Sequence, residues 1–173
     1  MVSQKELREQ CQDLHDQAEQ TKLAQALVKG NVPAKVYKQM LWQLYQIADV
    51  IERKWRFEVT DLDRRQKLAL DIAMCGQGDV GTLASTSAYC AELNNLTLDQ
   101  LRGHIYVHYM GWLYGGQLLR KNLKMPVNHL EFQDHKSCVD YIRGRVLVDL
   151  TDADSLAAQR AFQSIMEIYN ELY

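Results

Sequence analysis

The chain has 173 residues, enough for one folding domain that buries about 68 to 70 per cent of its unfolded surface, so no disulfide or metal staple is required. Its 20 basic and 22 acidic residues give a formal charge of −2, and no run of Lys or Arg forms a phosphate-binding stripe, which excludes nucleic acid as an expected partner. The N-terminus MVSQKELREQ is polar from its first turn and no window approaches about 18 uninterrupted apolar residues, so the expectation is a cytoplasmic monomer with no membrane association.

Only two prolines, Pro33 and Pro126, interrupt segments rich in Leu, Ala, Gln, Glu and Lys, which predicts an all-α single domain over residues 1–173 with about seven or eight helices. Cys11, Cys75, Cys90 and Cys138 show neither a CxxC pair nor zinc-finger spacing and read as free thiols.

In chain order, Ser3 and Glu6 form a capping box for a first helix whose apolar face carries Leu7, Cys11, Leu14 and Ala18. His15 sits one step off that face. Gly30 and Pro33 mark a stop and a restart, followed by a wide apolar stripe from Val36 to Ile51. Tyr37, Trp42 and Tyr45 within it read as packing residues.

Thr60 and Asp61 open a shorter helix through Arg64 to Met74, closed by Gly76-Gln77-Gly78. Arg64, Arg65 and Lys67 read as a solvated face that could also receive an acidic redox partner. A helix from Thr82 to Leu96 follows. Thr97 and Gln100 then form a second capping box ahead of a helix predicted over Leu101–Leu123. After Pro126 comes the irregular stretch VNHLEFQDH, a helix from Lys136 to Leu150, and a last helix from Ser155 to Leu172 capped by Thr151 or Asp152.

The Leu101–Leu123 segment contains the densest signal, YVHYMGWLYGGQ. Each interior glycine costs about 0.8 to 1.0 kcal/mol relative to alanine. Gly111 and Gly115 are four apart and share a helix face, with Gly116 beside them. Such a bare strip suits either a closely packed neighbouring helix or a large flat ligand lying against the helix, with the glycines also permitting a bend.

The elements LHDQAE (an HxxAE pattern) and YMGWLYGGQLLRK, separated by about ninety residues, together with RRQKLALDIA, GHIYVHY and YIRGR, resemble the heme oxygenase family of the soluble, biliverdin-producing bacterial, cyanobacterial or phage type. The resemblance implies heme as both substrate and cofactor, sandwiched between a proximal and a distal helix and opened with O2 to biliverdin, Fe2+ and CO, the IXα isomer being the family default. It further implies that His15 is the axial iron ligand, with Glu19 one turn on, that Arg8 and Arg143 meet the propionates, that Tyr106 lines the pocket, and that Gly111, Gly115 and Gly116 form the distal wall. A histidine on one side, bare backbone on the other and cations at the rim are what heme requires physically.

The chain departs from the family where GDLSGG becomes GWLYGG. Trp112 replaces a carboxylate that, as the resemblance implies, orients distal water, and an indole donates one hydrogen bond but accepts none. Tyr114 stands in place of serine and His108 in place of arginine. Either the water network is rebuilt from Tyr114, His108, Tyr106 and the glycine backbone, or the protein is a non-catalytic heme-binding or heme-delivery protein.

A di-metal oxidase on the same scaffold is a further alternative, with His104 and His108 spaced to chelate one metal, but no Glu-x-x-His pair is present. The chain has no Rossmann glycine fingerprint. Electrons are therefore expected from an external donor, a ferredoxin or a reductase of the cytochrome P450 reductase kind, and a bilin reductase is an expected downstream partner.

Overall fold

Capping chemistry sets the first helix: the Ser3 hydroxyl accepts the Glu6 N–H at 3.1 Å while the Glu6 carboxylate accepts the Ser3 N–H at 2.7 Å, opening α1 (Gln4–Glu19). The computed structural model describes residues 1–173, which form helices and connecting turns and no strand. Thr21 caps α2 (Lys22–Lys29), which ends at Gly30 in the left-handed conformation, φ 71°. The long core helix α3 (Ala34–Lys54) follows, then a 3-10 turn (Thr60–Leu62), α4 (Arg65–Met74) and α5 (Ala84–Asn95).

The Thr97–Gln100 capping box opens α6 (Leu98–Leu113), and α7 (Gly115–Asn122) continues in a new direction. A 3-10 turn (Asn128–Leu130) leads to α8 (His135–Tyr141), which widens into a π turn (Ile142–Val146) before α9 (Asp152–Leu172). The all-helical expectation holds. The nine α-helical segments arise where continuous stretches are broken at Gln20 and Tyr114.

The single helix expected over Leu101–Leu123 is two. Tyr114, at φ −109° and ψ −67°, ends α6, and the Gln117 N–H turns back to the Tyr114 carbonyl at 3.1 Å. The carbonyls of Trp112 and Leu113 lose their helical partners, and the side chains of Gln117 (3.3 Å) and His135 (Nε2, 2.5 Å) take them up. The helix expected over Lys136–Leu150 likewise ends early, at Val146, because the π turn spends an extra residue and the chain then bends through Asp149 at φ 48°.

Central to the fold, α6 packs along α9. A Cβ on Gly103 would lie 2.3 Å from the Asp154 carbonyl oxygen and 2.6 Å from the Ala158 nitrogen, so the backbones touch there. Beside this contact Arg102 donates to the buried Asp154 carboxylate at 3.1 Å and to the Val148 carbonyl at 2.9 Å. Asp154 also accepts the Thr151 N–H, completing the cap of α9. Thr151 is the cap, and α9 begins three residues earlier than expected.

Arg64, Arg65 and Lys67 are not a solvated face. Arg64 is fully buried over the Phe132 ring, its guanidinium donating to the carbonyls of Asp61, His129 and Glu131. Arg65 pairs with Asp49 and Glu52, and Lys67 donates to the Glu131 carbonyl. The 128–131 segment leaves carbonyls that no helix satisfies, and Arg64 and Lys67 supply the donors. The four cysteines are free, with Cys11 and Cys138 buried.

Replacing Gly103 by Ala forces two backbones apart and is expected to lower stability by about 1 to 3 kcal/mol, read as a drop in urea midpoint with an unchanged m-value.

Candidate functional site

Two walls face each other across a cleft. From α1 come Arg8, Cys11 and His15; from α6 and α7 come Tyr106, Gly111, Tyr114 and Gly115; Arg143 from the π turn and Phe162 from α9 close the ends. The outer chamber so formed has a volume of about 510 Å³. An inner chamber of about 250 Å³ adjoins it, sharing His15, Gly111, Gly115 and Phe162 and adding Glu19, His108, Trp112, Gly116 and His129. Every residue assigned to a heme site through the resemblance lines one chamber or both, whereas His104 lines neither.

His15 presents an imidazole with 48% of its side chain exposed. Phe162 meets the ring edge-on at 5.8 Å, and its nitrogens lie 3.4 Å from Asp16 and 3.6 Å from Glu19, so no short bond ties the ring down. A Cβ on Gly111 or Gly115 would meet nothing within 4 Å, whereas on Gly116 it would lie 2.8 Å from Leu130 Cδ2. Gly111 and Gly115 therefore expose bare backbone to the cleft, and Gly116 serves packing.

The outer chamber is cationic. Arg8 and Arg143 line it without any carboxylate; Arg8 has no ion-pair partner, and Arg143 donates only to the Tyr114 hydroxyl at 3.2 Å. Burial, reinforced by Cys11, raises the Tyr106 hydroxyl, which stays protonated. The Cys11 thiol is likewise pushed up by burial to about 11.

Polar groups of the inner chamber are pinned from behind. His104 Nδ1 and His108 Nε2 converge on the Tyr89 hydroxyl at 2.7 and 3.1 Å, so the pair holds a buried phenol between them. One hydroxyl proton serves one ring while the other ring donates its N–H. Burial, with Arg160 nearby, lowers His104 to about 4, and burial with His104 nearby lowers His108 to about 3. Trp112 is 8% exposed, packs edge-on against Tyr109 at 4.9 Å and makes no side-chain hydrogen bond.

His129 escaped the sequence reading. It lies in the irregular stretch after Pro126, and its partner Asp71 sits 58 residues earlier on α4, so no local spacing joins them. Asp71 accepts His129 Nδ1 at 2.6 Å, the His129 N–H at 2.9 Å, and Asn128 through both its backbone and side-chain nitrogens.

The heme oxygenase family model matches residues 2–171. The chain belongs to the heme oxygenase family. It is 27% identical over 140 residues to a heme oxygenase of Porphyra purpurea, covering 71% of this chain and 59% of that protein. To heme oxygenase 1 of Synechocystis sp. it is 25% identical over 206 residues, covering 96% and 83%. The fold matches the crystal structure of heme oxygenase-1 from Synechocystis in complex with heme with a TM-score of 0.83 at 24% identity, over 97% of this chain and 90% of that one. The chain thus has the heme oxygenase fold, and it spans 59% of the length of the first curated heme oxygenases it matches.

The three glycines should separate by substitution. Ala at Gly111 or Gly115 enters open space and is expected to leave stability unchanged or raise it by up to about 1 kcal/mol, whereas Ala at Gly116 must displace Leu130 and lower it, all read by urea denaturation.

The buried histidines give the fold an acid dependence. In the unfolded chain they bind protons near 6.5, but in the fold only near 4 and 3, so their contribution is complete above pH 6.5 and is lost as pH falls. Urea midpoints should fall steadily between pH 6.5 and 4, and the His104 and His108 ring resonances should not titrate between pH 7 and 5.

Proposed function

We propose that this chain is a heme oxygenase that converts heme to biliverdin with O2 and electrons from an external donor, the IXα isomer being the family expectation. The observation that carries this reading is the bare Gly111–Gly115 backbone on the cleft wall, sharing one chamber with an unpinned imidazole at His15 and two cations without carboxylate partners. Heme has a flat apolar macrocycle, an iron in want of an axial nitrogen and two propionates, and these three features match the three properties of the chamber. When bound, heme supplies both the iron that activates O2 and the carbon that is oxidised.

In this reading His15 would supply an imidazole nitrogen to the iron, backed by Glu19, whose carboxylate lies 3.6 Å from the ring. Cys11 lines the same chamber but stays a protonated thiol, so it does not compete as a thiolate ligand. Arg8 and Arg143, which line the outer chamber, would hold the propionates. Gly111 and Gly115 let the macrocycle approach the α6–α7 backbone, where a side chain would intrude. Tyr106 closes the chamber wall and Trp112 presents apolar surface to the inner chamber, keeping bulk water from the reacting face.

Electrons enter from a partner with its own redox centre, because the chain has no nicotinamide or flavin fingerprint. A small ferredoxin is the proposed donor. Trp112 favours one competing reading, a heme-delivery protein without turnover, since its indole cannot replace an accepting carboxylate.

Hemin added to the purified protein should give a one-to-one complex, and ferredoxin, its reductase and NADPH with catalase present should then yield biliverdin. His15→Ala should lose the axial imidazole signature while far-UV circular dichroism is unchanged. A heme complex that yields no bilin with any donor overturns the oxygenase reading in favour of heme delivery, and an unaltered heme spectrum in His15→Ala overturns the ligand assignment.

A further inference from the structure

Of the three histidines that line the inner chamber, His15, His108 and His129, the last is paired with a buried carboxylate. The His129 ring is 3% exposed and lines the chamber beside Gly111, Trp112, Gly115 and Gly116. Nδ1 is committed to Asp71 at 2.6 Å, and Nε2, at the far edge of the ring, has no hydrogen-bond partner in the protein. Nε2 is not one of the sealed, unpartnered polar atoms of the core, so a water or a ligand can reach it from the chamber that the ring lines.

The Asp71 carboxylate decides which proton the ring carries. Four donors converge on its two oxygens: the Asn128 N–H and side-chain amide on Oδ1, the His129 N–H and Nδ1 on Oδ2. Burial alone would raise Asp71, but the hydrogen bonds from His129 and Asn128 outweigh it and hold the group below the usual carboxylate range. An ionised carboxylate only accepts, so Nδ1 bears the hydrogen. Burial lowers His129 despite Asp71, keeping the ring neutral. Nε2 is therefore a fixed, bare acceptor.

Acceptor capacity is what Trp112 lacks. Reducing O2 consumes protons, and a water that hands them on must be oriented by donating one of its own hydrogens to the protein. Trp112 can only donate, and His108 spends Nε2 on Tyr89.

Resting on the heme oxygenase reading, we propose that His129, oriented by Asp71, is the positioning residue of the inner chamber, its Nε2 accepting a hydrogen bond from an ordered water whose other O–H points to the heme face bounded by Gly111 and Gly115. The acceptor that Trp112 cannot provide comes from a different segment of the chain. The titratable and charged groups around the ring are Asp71 on α4, Arg64 beneath the His129 carbonyl, and His15, Glu19, His108 and Tyr169 across the chamber.

Two measurements test this. In the heme-free protein, nitrogen NMR should show His129 as the neutral Nδ1–H tautomer at pH 7; an Nε2–H tautomer or a charged ring overturns the proposal irrespective of heme. In the ferric heme complex, an O–H pointed at the iron-bound oxygen favours hydroxide over water there, so the pH midpoint at which iron-bound water loses its proton reports whether the ordered water is held in place. His129→Phe should raise this midpoint by about half to one pH unit, the worth of one hydrogen bond, and His129→Gln, which retains an accepting oxygen, should restore at least half of the shift. Asp71→Asn, which releases the tautomer, should move it in the same direction as His129→Phe.

A midpoint unmoved in both His129→Phe and Asp71→Asn, with one-to-one heme binding intact, overturns the role of His129 and leaves the oxygenase reading standing. Failure of the unsubstituted protein to bind heme overturns both. Should His129→Phe not fold, the Gln and Asn variants and the tautomer carry the decision.

Discussion

The close approach of α6 to α9 at Gly103 is the constraint on which the rest of the cleft depends. With no side chain at that point, the α6 backbone sits against the Asp154 carbonyl and the Ala158 nitrogen, and the Arg102–Asp154 pair locks the contact at its edge. One end of α6 is thereby fixed to the core. The other end is free to run along open space, and there Gly111 and Gly115 face a cavity rather than a helix. Glycine thus has opposite uses at two ends of one element: contact between backbones at Gly103, and room beside the backbone at Gly111 and Gly115.

The change of direction at Tyr114 carries that room around the cleft. A break in a helix releases carbonyls, and a buried carbonyl without a donor is costly. Here Gln117 and His135 take up the carbonyls of Trp112 and Leu113, so the bend is part of the satisfied hydrogen-bond network. Tyr114 itself reaches Arg143, joining the bend to the π turn and to the cationic rim of the chamber.

Behind the inner chamber, the 128–131 segment is irregular yet fully tied. Arg64 fills its carbonyls from one side and Asp71 fills its N–H groups from the other. Two charged residues of the α4 region thus tie down the 3-10 turn at Asn128–Leu130 by matching donors to acceptors. The same arrangement leaves one nitrogen of His129 unmatched at the chamber wall.

Helical content, the Ser3 and Thr97 capping boxes, the Gly30 stop and the glycine strip were legible in the sequence, because caps and apolar periodicity act within a few residues; the other residues around the cleft were legible only through the resemblance to heme oxygenases. The fate of Arg64 was not: in sequence it is one of three cations near the start of a helix, and only the fold brings unsatisfied carbonyls over it. A bend allowed by the glycines could be read from the sequence, but its place at Tyr114 could not, since the groups that satisfy the freed carbonyls come partly from His135. His104 and His108 have metal-ligand spacing, but Tyr89 from α5 occupies the point where their rings converge. His129 and Asp71 lie on separate segments whose meeting no local pattern encodes. The sequence by itself determined which backbone would be helical and which residues are chemically suited to heme; the tertiary structure decided which polar groups are spent on one another and which are left facing the cleft, because that depends on partners distant along the chain.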